Sequence, residues 1–172
     1  MSWIITCVII AFFIYLIYNG IALKLFGVPQ SLSMTYYLFQ NKKYWTRIFF
    51  PIMMIGMAFL LLPAWLEISV GSPFQFLSFL AAAGIMFTGA APAFLSSSME
   101  KTVHTTGAIC AAVFALLWVI LVSKLWWTIP LWLVTLGLTM WVTKTIKSSY
   151  IYWLETIAFM STFTSIIAYY FT

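Results

Sequence analysis

The sequence predicts an all-α, polytopic integral membrane protein: a bundle of six transmembrane helices with both termini on the non-cytoplasmic side. Three observations predict it. Of 172 residues, 65% are hydrophobic and 6% charged, against roughly 25% charged in a soluble domain, so lipid must solvate most of the exterior. Apolar runs near the length a membrane helix needs, about 20 residues, recur along the chain. The basic residues then alternate sides. Lys24, Lys42, Lys43, Arg47, Lys101, Lys144 and Lys147 follow the odd-numbered runs, and only Lys124 follows an even-numbered one. A positive-inside bias of this kind places the odd connections in the cytoplasm.

The first span covers residues 3–23. Met1-Ser2-Trp3 carries no basic n-region, so this span is expected to stay in the protein. The connection that follows is too aromatic for a disordered loop. Ser31 or Ser33 caps a short interfacial helix over 31–43, with Leu32, Tyr36 and Phe39 on one face. The second span, 48–66, has Pro51 in its first turn and ends at Glu67, before a Ser69–Pro73 turn. The third, 74–95, is broken by Ser96–Lys101, with Pro92 kinking or ending it. The fourth covers 103–122. After a minimal Ser123-Lys124 turn comes the fifth, 125–142, and the polar stretch Lys144–Ser149 leads into the sixth, 150–171. The whole is one domain. Trp65, Trp126, Trp127 and Trp132 are expected at the outer boundary, and Tyr44, Trp45, Tyr150, Tyr152 and Trp153 at the inner one, as aromatic belts.

Small residues mark where helices approach closely in lipid. Gly107, Ala111 and Ala115 recur every four residues on span four. Ala81, Gly84, Thr88 and Ala91 recur at helical spacing on span three. These two spans are expected to form a tight hairpin. Cys7 and Cys110 lie inside apolar runs and read as small buried hydrophobes.

The few ionisable groups are the places to seek chemistry. An acid within a span is costly and is a functional candidate by default. Glu155 is that residue, one to two turns into span six. The topology brings Arg47, Glu100, His104 and Glu155 to one depth at the cytoplasmic side. Glu67 sits alone at the outer boundary, near Lys124. As a ligand-binding set the inner four would form a pocket, with Arg47 on a phosphate or carboxylate headgroup and His104 with Glu155 as an acid/base pair. The structural alternative, which we favour, is that Arg47 or His104 neutralises Glu155 and pins helices together. One histidine cannot supply a His-rich metal site, so no metal and no cofactor is expected. Scattered charge argues against nucleic acid as a partner. The hydroxyls of span six form no clean polar stripe and are expected to bond back to the helix.

Gly89-Ala90-Ala91-Pro92-Ala93-Phe94 followed by Val103-His104-Thr105-Thr106-Gly107-Ala108 resembles the six-helix membrane proteins of the Frag/DRAM type. In them a histidine opens a span against small residues, which the resemblance carries to His104, Gly107 and Ala108. The segment Val28-Pro29, Ser31, Ser33, Thr35-Tyr36-Tyr37 is similar to uncharacterised small membrane proteins of gut bacteria and their phages, and implies no activity. The expectation is a non-enzymatic protein of the inner (plasma) membrane. Its partners would be membrane lipids, or a membrane protein or second copy of itself, bound at the cytoplasmic face. The alternatives are a lipid-modifying enzyme using His104 and Glu155, and a phage-type pore or exclusion protein.

Overall fold

The computed structural model describes residues 3–171, without the Ile146 side chain; the Met1-Ser2 end of the leader expectation lies outside them. The described residues form helices and turns without strands. In chain order the helices are α1 (Trp3–Phe26), α2 (Thr35–Lys42), α3 (Phe49–Ile68), α4 (Phe76–Ala90), α5 (Ser98–Trp118), α6 (Thr128–Val142) and α7 (Ile146–Phe171). A 3₁₀ turn, Tyr44–Ile48, precedes α3, and a π turn, Val119–Ser123, closes α5. Four stretches are long and apolar enough to cross a bilayer: Trp3–Phe26, Tyr44–Ile68, Ser98–Ser123 and Lys147–Phe171.

Local chemistry explains where the helices stop. Gly27 adopts φ +71 and its N–H bonds the Leu23 carbonyl, ending α1 in the left-handed conformation that favours glycine. Pro92 bars Ala91 from helical geometry (φ −114, ψ 58), so α4 ends at Ala90. Ser97 caps α5 by accepting from the Glu100 N–H at 3.1 Å, and the Glu100 carboxylate takes the Ser96 hydroxyl at 2.9 Å. Lys124, at φ 58, ends the π turn.

Several boundaries differ from those the sequence suggests. Helices α4 and α6 have 15 residues each, in place of 74–95 and 125–142. Each is about 22 Å long, shorter than a hydrocarbon core of about 30 Å. Helix α5 starts five residues before 103, because Ser97 and Glu100 cap it, so the expected Ser96–Lys101 break contains its first turn. The short second helix starts at Thr35 and not at 31: Ser31 spends its hydroxyl on the Met34 N–H, and Leu32 and Ser33 turn into the bundle.

Helix α4 packs between α3 and α5, α1 lies on α3, and α7 touches α1, α3, α5 and α6. The α4–α5 contact brings main chain to main chain. A Cβ on Gly84 would lie 2.4 Å from the Ala111 nitrogen and 2.7 Å from the Gly107 carbonyl oxygen. Aromatic rings join α1 to α7, with Tyr15 4.9 Å from Phe159 and Phe12 5.3 Å from Phe163 between centroids. Large apolar side chains on α1 and α6, among them Phe13, Ile17, Leu133, Val134 and Leu138, face outward, as a lipid-facing surface requires.

Trp65 departs from its expected interfacial place. It is 1% exposed, packed on Trp118 with centroids 6.3 Å apart. The Trp118 indole donates to Ser69 Oγ at 2.8 Å, and Ser69 donates to the Trp65 carbonyl at 2.6 Å. This clamp ties the end of α3 to the end of α5. Tyr152 and Trp153 are likewise buried. The Tyr152 hydroxyl donates to Asn19 Oδ1 at 3.0 Å and the Trp153 indole to Thr145 Oγ1 at 3.0 Å.

Candidate functional site

The connection between α1 and α2 folds into the bundle, and its main chain is bonded at three points by α7. The Ser149 hydroxyl donates to the Val28 carbonyl at 3.3 Å, where α7 is kinked at Ser149 itself. The Tyr152 N–H donates to the Gln30 carbonyl at 3.1 Å. The Leu32 N–H donates to Glu155 Oε2 at 2.6 Å. Thr35 donates to the Leu32 carbonyl, and the Tyr18 hydroxyl bonds Thr35 Oγ1. A buried loop carries main-chain groups that must find partners, and here α7 supplies most of them.

His104 closes the same loop from α5. It is 4% exposed. Its Nδ1 lies 2.9 Å from the Ala91 carbonyl oxygen and its Nε2 2.7 Å from Ser33 Oγ. A carbonyl only accepts, so Nδ1 carries the proton, and Nε2 bonds the Ser33 hydroxyl. Phe94 stacks on the imidazole at 4.5 Å. The ring therefore ties α5 to the end of α4 and to the loop.

The four residues expected at one depth do not pair with one another. Glu155 meets a main-chain amide, not a cation. His104 meets Ala91 and Ser33. Arg47 lays its guanidinium over the Tyr44 ring at 3.8 Å, lining a surface cleft with Tyr36, Pro51 and Pro92. Glu100 is engaged with Ser96 at the start of α5. The acid/base pair and the direct neutralisation of Glu155 are thus both replaced by a loop: Leu32 and Ser33, adjacent in sequence, join Glu155 and His104 through separate bonds. The physical reason is that the loop brings its own unsatisfied amides into the space between α5 and α7. Glu67 likewise takes the Tyr170 hydroxyl in place of Lys124.

Behind Leu32 and Ser33 lies a cavity of about 40 Å³, lined by α3, α4, α5 and α7. Glu155 is its one ionisable lining group. The wall from α5 is made of Ala108, Ala111, Ala112 and Ala115, and that from α7 includes Ala158, Phe159 and Thr162. Small residues here leave space between helices in addition to allowing contact. Glu155 stands at the loop end. Trp65, which touches Trp118 fourteen residues beyond His104 on α5, marks the other. The lining hydroxyls are already committed: Ser33 to His104, Thr88 to the Gly84 carbonyl at 2.8 Å, and Thr162 to the Ala158 carbonyl at 2.9 Å. Glu155 Oε1 makes no hydrogen bond to a described residue, and the buried Trp65 Nε1–H has no acceptor. Ser33, Leu32 and Trp65 are read in the sequence as a helix cap, a face residue of the short helix and an interface anchor, and not as site residues. For Ser33 the available signal was its place in the polar-aromatic connection; for the Leu32 amide there was none.

Fold and site define a class: an all-helical protein whose several long apolar helices are compatible with a multi-pass membrane protein, with an alanine-walled cavity ending on one carboxylate. Comparison with protein-family models, curated proteins and solved structures found no match.

Proposed function

We propose that this chain is a non-enzymatic, six-span protein of the inner (plasma) membrane with both termini outside, and that it binds a lipid through its cytoplasmic half. The observation that carries the proposal is the cavity between α5 and α7, with Glu155 at its loop end and one carboxylate oxygen uncommitted. Carboxylates at membrane depth are expensive, and where they persist they mark binding sites or find partners. The Leu32 amide satisfies one oxygen only. The charge alternation supports six spans. On that count the short helices α4 and α6 cross with their flanking turns, and α4 is covered on two sides by α3 and α5. The six-span topology puts the loop of Leu32 and Ser33 on the cytoplasmic side, so entry is from the inner leaflet.

Lipid extracted from the protein after release from membranes tests the binding. Wild type should retain one tightly held molecule per chain, and Ala112→Phe, which fills the cavity, should lose it. Equal retention by the two proteins would overturn the proposal. Alkaline phosphatase fused after residue 172 should be active and green fluorescent protein fused there dark; the reverse pattern would refute the topology.

A further inference from the structure

The chemistry of the cavity restricts what occupies it. This inference rests on the cavity being a lipid site. We propose that the occupant is a single-chain amphiphile whose head donates hydrogen bonds to Glu155, a long-chain primary amine or alcohol, and not an anionic lipid.

Charge complementarity carries the choice. Glu155 is the one ionisable group among the described lining residues, and no lysine or arginine joins it. Arg47, just before α3, is turned onto Tyr44 in a separate cleft. A phosphate or fatty carboxylate entering beside Glu155 would bring its negative charge into a medium of low dielectric with no cation among the described lining residues to pair it. A head that donates instead meets Oε1, which makes no bond to a described residue. An ammonium gains a charge-assisted bond there and an alcohol a weaker one.

Shape carries the rest. The distance from Glu155 to Thr162 along α7 is about 10 Å at 1.5 Å per residue. A cavity of about 40 Å³ has no room for two chains side by side, so it seats the head and nearest methylenes of one chain and not the two of a phospholipid. Away from Glu155 the lining hydroxyls already have partners and the remaining walls are mainly alanine, leucine, isoleucine and phenylalanine side chains, which suit an alkyl chain better than water.

The test is a titration of the purified full-length protein in dodecyl maltoside with hexadecylamine, hexadecan-1-ol, hexadecanoic acid and phosphatidylglycerol. Bound ligand is counted by native mass spectrometry. The amine and the alcohol should each bind one per chain, the amine more tightly, and the acid and phosphatidylglycerol about tenfold or more weaker than the amine. Glu155→Gln should weaken the amine about tenfold and the alcohol much less, since the amide oxygen still accepts from a hydroxyl. Ala112→Phe should abolish both, and Ala158→Phe fills the same cavity from α7 should the first variant fold poorly. Binding of the acid or phosphatidylglycerol as tight as that of the amine, and lost in the filled variants, would overturn the ligand class while leaving a lipid cavity. Binding unaffected by either filled variant would overturn both.

Discussion

Replacing Gly84 with alanine should separate α4 from α5. The new Cβ would meet the Ala111 nitrogen at 2.4 Å, the Gly107 carbonyl oxygen at 2.7 Å and the Ala111 Cα at 2.9 Å. All three are main-chain atoms of α5, so no side chain can swing away. Ordinary contact is about 3.5–4.0 Å, so the helices must part by about 1 Å along their closest line. Overfilling a packed site costs about 1–3 kcal/mol, and a main-chain obstacle puts Gly84→Ala toward the upper part of that range. Gly107→Ala meets the Gly84 carbonyl at 2.9 Å and the Phe87 Cβ at 3.0 Å, which is less severe, and should cost less. Gly56 and Gly137 have nothing within 4 Å of an added Cβ. Alanine there should stabilise by about 0.5–1 kcal/mol through its better helix propensity. Unfolding by sodium dodecyl sulfate in mixed micelles, followed by circular dichroism, ranks the four variants. If Gly84→Ala unfolds with the Gly56→Ala variant, the α4–α5 contact is not the close main-chain approach described.

Ser33 and His104 should be energetically coupled. A double-mutant cycle with Ser33→Ala and His104→Ala should return about 0.5–3 kcal/mol, and additivity would refute the bond between them. Glu155→Leu should leave the Leu32 amide without its acceptor and speed its hydrogen exchange, whereas Glu155→Gln keeps an oxygen there; equal exchange in the two variants would contradict the role given to the carboxylate. Arg47→Ala should change stability by less than about 0.5 kcal/mol, because its guanidinium lies on the Tyr44 ring; a loss of about 3–5 kcal/mol would restore it as the buried partner of an acid. Trp118→Phe should cost about 1 kcal/mol by removing the bond to Ser69, and an unchanged unfolding midpoint would refute that clamp.

Much of the helical order can be read directly from apolar runs and breakers. Pro92 and Gly27 mark helix ends for reasons local to the chain, and the glycine and alanine spacing on spans three and four points to faces that can meet closely. The capping pair Ser97 and Glu100 was equally local, yet it was read as part of a break, so α5 starts earlier than expected. Trp65 shows the opposite limit. Position near a span end made it an interface anchor, but burial depends on which neighbour covers it, and Trp118 lies more than fifty residues away.

Composition by itself pointed to lipid as the solvent of this protein, since so few charges cannot cover a water-facing surface, and run length pointed to helical secondary structure. The scarcity of ionisable groups also singled out Glu155 and His104. What only the tertiary structure decided is what those two residues touch. Their partners are the Leu32 amide, the Ala91 carbonyl and the Ser33 hydroxyl, and the two main-chain groups carry no signature in the sequence because every residue has them. A charge calls for a counter-charge when side chains alone are considered. Once a loop is folded between the helices, its unsatisfied amides are the nearer donors, and they take the place that Arg47 was expected to fill.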